Sequence, residues 1–179
     1  KLNWTTNISL TSRNPNPAEL FSDGLHDSTG QIELGDLKLK REVSTKISTA
    51  LHYTKSNFAL EINPYVNFIN DFKVLIPTTI ILSNRGPFPV WEYRQVDARL
   101  LGVDVTSDYD FAKNWNWHST AAFVYGEDLT NDSALIDMPP FNFNNTVSFK
   151  KANWNNLVVS LKNETVLTQK RYPNNDFYV

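Results

Sequence analysis

The 179 residues carry a net charge of −2, 41% apolar residues and no cysteine. A disulfide frame and a thiolate metal site are therefore excluded, and with no basic block and no nucleic-acid motif there is no support for nucleic-acid binding. No stretch approaches the roughly 18 consecutive apolar residues of a membrane helix, which excludes spanning by helices but not by strands, whose hydropathy signal is weak.

In chain order, seven segments alternate, one set of every-other positions apolar and the other polar or ionised. Successive side chains of a strand point to opposite faces, so each segment reads as a strand between two solvents. In the first, Trp4, Thr6, Ile8 and Leu10 oppose Asn3, Thr5, Asn7 and Ser9. In the second, Val43, Ile47, Leu51 and Tyr53 oppose Glu42, Ser44, Lys46, Ser48 and His52. The third is the clearest, with Phe58, Leu60, Ile62, Val66 and Phe68 against Ala59, Glu61, Asn63, Tyr65 and Asn67. Next, Leu101, Val103, Val105, Tyr109 and Phe111 oppose Asp104, Thr106, Asp108 and Asp110. Trp115, Trp117, Phe123 and Tyr125 then oppose Asn116, His118 and Thr120. The last two set Phe143, Val147 and Phe149 against Asn144, Thr146, Ser148 and Lys150, and Leu157, Val159, Leu161 and Leu167 against Ser160, Lys162 and Glu164. The charges in the body of these segments fall on one side.

A soluble β-sandwich also alternates and is the commoner source of short alternating strands. These segments are long, on the order of ten residues or more, enough to cross a hydrocarbon layer when tilted, whereas sandwich strands cluster near 5–6. Lys46, Glu61, Asp104, Lys162 and Glu164 need water, so the apolar face is the one that meets lipid. The connections alternate in length too: short at residues 55–57, 112–114 and 153–156, long at 13–36, 73–93, 127–140 and from Lys170 onward. Tight turns at one rim and long loops at the other are the layout of an outer-membrane barrel with its short turns in the periplasm. Trp4, Tyr53, Tyr109, Phe111, Trp115, Trp117 and Trp154 gather near the short-turn ends, where an interfacial aromatic girdle belongs.

The expected fold is thus all-β, an antiparallel up-and-down meander of about seven long strands. Seven strands that start in the periplasm end outside, and closed single-chain barrels have even strand numbers, so the expectation is a part of a larger barrel. Lys1, with neither a start methionine nor a signal peptide, fits a mature internal piece of a longer chain. In the long connection 73–93, Val74-Leu75-Ile76-Pro77 and Ile80-Ile81-Leu82 predict a strand continuing above the membrane, Asn84-Arg85-Gly86-Pro87 a turn, and Phe88-Pro89-Val90-Trp91 a return.

The motifs between these strands resemble a known family. Arg13-Asn14-Pro15-Asn16-Pro17-Ala18-Glu19-Leu20-Phe21, then Gly24-Leu25-His26, Glu33-Leu34-Gly35-Asp36, Leu39 and Glu42 look like the signature of TonB-dependent outer-membrane receptors. Tyr65-Val66-Asn67-Phe68-Ile69-Asn70-Asp71-Phe72, Tyr93-Arg94-Gln95-Val96-Asp97-Ala98 leading into Gly102-Val103-Asp104, and Met138-Pro139-Pro140 follow in the family's order. Asp36 stands where the family usually has asparagine, which preserves turn chemistry. The resemblance implies that the whole of residues 1–179 is a partial receptor barrel, about the thirteenth to nineteenth strands of twenty-two, with the plug domain and last strands outside the chain. It further implies a bacterial outer-membrane location, a lipid bilayer around the wall, contact with the TonB complex through the plug, and transport of a scarce small-molecule or metal ligand without bond-making chemistry. No cofactor is required; zinc or iron/haem is expected as cargo, because the Glu19 to His26 spacing most resembles zinc- or haem-linked receptors. On that resemblance His26 is a metal ligand, assisted by Asp23 or Asp27, and neutral imidazole suits zinc or iron. His52 and His118 read as lumen lining.

Catalytic readings find little. There is no G-x-S-x-G, no H-E-x-x-H and no Gly-rich phosphate loop among six glycines. Asp104, Asp108 and Asp110 form a row on one strand face, the pattern of a wet lining and not of a paired acid and base. Two alternatives remain. One is a general porin. The other is a soluble or surface-exposed β-domain that binds carbohydrate or protein through Trp91, Trp115, Trp117 and Trp154. An isolated sheet with open edges is also expected to self-associate.

Overall fold

The computed structural model describes residues 1–173; the last expected connection, from Lys170 onward, lies partly outside them. Seven long strands follow the seven alternating segments: β1 (Leu2–Arg13), β4 (Glu42–Lys55), β5 (Phe58–Ser83), β6 (Gly86–Ala112), β7 (Trp115–Asp128), β9 (Asn142–Lys151) and β10 (Leu157–Val166). They pair antiparallel in the order β1-β4-β5-β6-β7-β9-β10, each strand beside its chain neighbour among the long strands, as an up-and-down meander requires. The tight turn at Asn155 and Asn156 places both in the left-handed region, φ 52° and 57°, which asparagine tolerates better than other side chains.

The register lines up the apolar faces. Trp4, Ile8 and Leu10 sit opposite Leu51, Ile47 and Thr45. Ile47, Leu51 and Tyr53 sit opposite Val66, Ile62 and Leu60, and Ile62 and Val66 opposite Val105 and Leu101. Among the described residues nothing lies over this face: Ile8 and Leu10 are 72% exposed and Leu161 is 77% exposed. A soluble sandwich would have buried it at about 25 cal/mol per Å² of gain; here the apolar wall is left for lipid.

The buried core lies above the wall. Ile69, Val74, Val96, Ala98 and Leu135 cluster, with Phe72, Ile76, Leu100 and Met138 packed against them. Its framework is the β5–β6 hairpin, strands of 26 and 27 residues that run on past the wall to a turn at Asn84 and Arg85, as the turn chemistry of the sequence predicts. Arg85 N donates to Ser83 Oγ at 3.1 Å, and Gly86 takes φ 114°, a value side chains resist. A β-bulge interrupts the register between Ile69 and Phe72. There Asp71 has φ 54° and both Asn70 Nδ2 and Asp71 N donate to Asp97 Oδ1, so the bulge's polar groups are engaged across the hairpin.

The connection after β1 holds more structure than a loop. It contains helix α1 (Pro17–Phe21), β2 (Asp23–His26) and β3 (Gln31–Leu34). β2 and β3 form a small hairpin, and β3 adds to β6 in parallel, Ile32 opposite Val90 and Leu34 opposite Glu92. A two-residue strand, β8 (Ser133–Ala134), pairs with the end of β7.

Candidate ligand-contacting surface

The wall itself fixes where the membrane lies. At the short-turn rim, rings follow one another across the sheet in an unbroken chain: Tyr53, Phe58, Tyr109, Phe111, Trp115, Phe149 and Trp154, with centroids 5.0–6.5 Å apart. At the other end Arg99 donates to Glu127 from the apolar-facing register positions, opposite Phe68. These are the first charges on that face. From Tyr109 to Arg99 is about ten residue steps at ~3.3 Å, and a tilt of 35–45° reduces the rise to about 23–27 Å, the height of a barrel's apolar band. The girdle and the ion pair therefore bracket one hydrocarbon layer. Trp115 and Trp154 belong to this ring, Trp117 binds Asn145 Oδ1 beside it, and Trp91 sits far off on the hairpin, opposite Pro77. The four tryptophans do not converge, which removes the carbohydrate-binding reading built on them.

The opposite face is a polar lining. His52 Nδ1 lies 3.4 Å from Glu61 Oε2 and His118 Nδ1 2.9 Å from Asp108 Oδ1. Lys46 Nζ stands 4.6 Å over the Tyr65 ring, and Ser148 and Ser160 share a hydrogen bond of 2.8 Å. Tyr65 lies flat across Gly102, where an added Cβ would come within 2.2 Å of the ring. Asp108 and Asp110 are engaged with His118 and Asn116, as lining residues are.

Toward the long-loop rim the lining gives way to braced connections. Asn16 caps α1: Glu19 N donates to Asn16 Oδ1 at 2.9 Å and Asn16 N to Glu19 Oε2 at 2.8 Å, a reciprocal capping box with Pro17 in the first turn. Arg13 Nη1 donates to Glu19 Oε1 at 2.7 Å and Nη2 to Glu42 Oε2 at 3.1 Å. Lys73, whose side chain is 1% exposed, donates to Arg13 O and stands 3.7 Å from Glu42. Burial pushes the Glu19 carboxyl up, but the Arg13 and Asn16 hydrogen bonds and the charges of Arg13 and Lys73 outweigh it and hold it below the ordinary value. The Glu19 hydrogen bond raises Arg13 against the opposing effect of burial, with Glu42 adding to it. Gly35 passes so close to this helix that a Cβ would lie 2.6 Å from the Leu20 carbonyl carbon; its N–H donates to Ser22 O and that of Asp36 to Glu19 O. Asp36 makes the turn expected of it, accepting from Lys38 N at 2.8 Å.

Residues 127–141 tuck inward. Gly126 lies on the lumen face by alternation, and a Cβ there would meet Met138 Sδ at 2.4 Å, so the missing side chain admits Met138 and Leu135 onto the lining. On the other face of the hairpin, Gln95 clamps residue 40 through Lys40 N and O, and Tyr93 reaches Glu33. Burial, then the charges of Glu33 and Glu19, push the Tyr93 phenol up.

The predicted site residues fall on the β2–β3 hairpin. His26 is half exposed; its Nδ1 lies 3.0 Å from Thr29 Oγ1 and 3.5 Å from Glu33 Oε1. Nδ1 is thus turned toward the Thr29 hydroxyl, which also reaches His26 O at 3.2 Å, and toward Glu33, while Nε2 has no hydrogen-bond partner among the described residues. Asp23 is opposite Leu34 and His26 opposite Gln31, so alternation puts Asp23 on the other face, and Asp27 lies in the turn. The carboxylate beside His26 is Glu33, which sequence reasoning did not select. The turn residues Asp27-Ser28-Thr29-Gly30 before an alternating strand were the available signal. Among the described residues no group of three or more His, Cys, Asp or Glu side chains forms a metal cage.

Comparison with known proteins agrees with this architecture. No curated protein matches the chain. Solved structures with the same fold include the copper transporter OprC (TM-score 0.78, 21% identity, 95% of this chain and 24% of that one). Others are a mutant ferric enterobactin receptor PfeA of Pseudomonas aeruginosa (0.58, 15%, 83% and 23%) and the iron transporter FrpB of Neisseria meningitidis (0.60, 15%, 92% and 24%). The chain spans about a quarter of the length of these structures. The family model described as TonB dependent receptor-like, beta-barrel matches residues 1–178: the chain belongs to the TonB-dependent receptor β-barrels of the bacterial outer membrane.

Proposed function

We propose that this chain forms wall, lumen lining and outer rim of a receptor that takes up a scarce metal ion or metal chelate, driven by TonB and without bond-making chemistry. The observation that carries the reading is the contrast between the two rims: tight turns and rings at one, and at the other an elaborate, internally braced set of connections that project above the apolar band. A pore for bulk diffusion has no need of such a rim; a surface that selects a ligand does. The neighbours of like fold whose names state a cargo carry copper, ferric enterobactin or iron, which favours metal over other nutrients.

Within that reading His26 is the residue to test. Its Nδ1–H faces Thr29 and Glu33, the outer-shell arrangement that fixes a metal-binding tautomer and leaves Nε2 as the ligand. Further ligands come from elsewhere in the complete receptor. The experiment is calorimetric titration of zinc and of cupric ion into the complete receptor and its His26→Ala variant, with metal-limited growth and its dependence on the proton-motive force measured in parallel. A tenfold or greater loss of metal affinity in the variant is expected. Unchanged affinity removes His26 from the cargo site, and growth indifferent to both metal and receptor removes the metal reading.

A further inference from the structure

The chain has three histidines, and each turns Nδ1 toward a carboxylate. His26 faces Glu33 on the outer hairpin. The other two stand on the lumen face near the short-turn rim, His52 next to Tyr53 of the girdle and His118 three residues past Trp115. His118 Nδ1 is 2.9 Å from Asp108 Oδ1, directly across the β6–β7 ladder, and His52 Nδ1 is 3.4 Å from Glu61 Oε2, directly across β4–β5. An ionised carboxylate only accepts, so the Asp108 bond puts the His118 proton on Nδ1 and the lone pair on Nε2. Glu61 is itself held by Asn63 Nδ2 at 2.7 Å. Among the described residues neither Nε2 has a hydrogen-bond partner, and both rings are about half exposed. Nearby cations of the lumen face are engaged elsewhere: Lys46 lies over the Tyr65 ring and Lys162 pairs with Glu164. A carboxylate on one imidazole nitrogen with the other left free is the arrangement that surrounds a metal-bound histidine.

We propose that His52 and His118 are two weak stations for a divalent transition-metal ion at the periplasmic end of the lumen, each offering Nε2 while Glu61 or Asp108 orients the ring. This role rests on the proposed metal cargo and requires that the ion travel hydrated, not inside a chelate. Three strand spacings of ~4.8 Å separate β4 from β7, which puts the imidazoles on the order of 15 Å apart, too far to share one ion. Among the described residues no third ligand joins either pair to make a cage, so water completes the shell and the ion is held loosely. A passage needs such sites, able to take up an ion and still release it.

The test uses the complete receptor in mild detergent, with cupric ion as probe and electron paramagnetic resonance as readout, in a His26→Ala background that silences the outer position. Two weak sites with imidazole nitrogen couplings are expected, one vanishing in His52→Gln and the other in His118→Gln. Asp108→Ala, which leaves the imidazole in place, should weaken the His118 site on the order of tenfold. With His26 restored, the His52→Gln/His118→Gln receptor should take up zinc roughly tenfold more slowly while heat-modifiable mobility shows it assembled. Because each lumen signal is assigned by its own variant, an outer site located away from His26 leaves this result standing. Signals that persist in the double variant, no signal in the starting protein, as when the plug covers the rings, a His118 site indifferent to Asp108, or zinc uptake at the wild-type rate each overturns the proposal. Absence of receptor-dependent zinc uptake in the wild type overturns the metal cargo itself, and the stations with it.

Discussion

Glu19 offers the sharpest test of how the outer rim is held. It is 6% exposed, closes the α1 capping box through Asn16 and accepts from Arg13 at 2.7 Å. Glu19→Gln keeps the shape and the box, since glutamine serves at that position, and removes only the charge. Hydrogen bonds to charged groups contribute about 1.5–3 kcal/mol, but Arg13 is 47% exposed and keeps Glu42. Solvent screening therefore reduces the expected loss to about 1–2 kcal/mol, a shift of roughly 5- to 30-fold in local opening. Amide hydrogen exchange in the complete receptor reads this directly. The Leu20, Ser22, Gly35 and Asp36 amides, which bond within this segment, should lose that much protection while those of β5–β7 keep theirs. The pH dependence carries a sign. Glu19 is held below its ordinary value of 4.5, so its stabilisation is complete above that value and is lost as pH falls through the folded value. The difference between wild type and Glu19→Gln should therefore narrow under acid. Equal protection in both proteins at neutral pH, or a loss spread evenly over the wall, would refute the reasoning.

The two faces of the wall predict opposite outcomes for neighbouring residues. Ile62→Arg, near mid-height opposite Val105 and Leu51, should cost about 2–4 kcal/mol in refolding into bilayers, whereas Asn63→Arg on the lumen side should cost well under 1; similar costs would mean the faces are reversed. Gly102→Val drives a Cβ into the Tyr65 ring and should lower the yield of heat-modifiable barrel in a membrane fraction, with Tyr65→Ala restoring it. Failure of that rescue would show that Gly102 matters for its backbone and not for the ring above it.

The wall was legible because its code is local: a strand between two solvents writes its own period of two, and Phe58 to Phe68 shows it without help from any partner. The long β5–β6 hairpin was legible for the same reason, through Asn84-Arg85-Gly86-Pro87. What escaped has its cause far away in the chain or in atoms that are missing. The docking of β3 on β6, Ile32 opposite Val90 and Leu34 opposite Glu92, is a parallel pairing that leaves no mark in a short window. The inward tuck of residues 127–141 depends on the absence of a side chain at Gly126, and a single glycine within a strand pattern equally marks a bulge or a bend. Asp23 is close to His26 in sequence yet lies on the other face of β2, while Glu33, seven residues away, arrives beside it through the hairpin.

The contacts also separate two kinds of residue within the signature by which the family is recognised. Arg13 bridges Glu19 and Glu42, Asn16 caps the helix, Gly35 lets the chain pass over Leu20, and Asp36 turns it into β4. Their donors and acceptors are occupied by one another, so little remains with which to distinguish one cargo from another. His26 is different: its Nε2 has no partner among the described residues, and it sits on a hairpin that the braced residues position without covering. If recognition depends on groups left free by folding, a receptor of this family can change its cargo by altering the β2–β3 hairpin and the β5–β6 tip while keeping the brace. Exchanging residues 23–32 between two receptors of different cargo, with Arg13, Glu19, Gly35 and Glu42 untouched, should then preserve the exchange protection of α1 and alter metal preference. A swap that melts α1 while leaving preference unchanged would place selectivity in the brace after all.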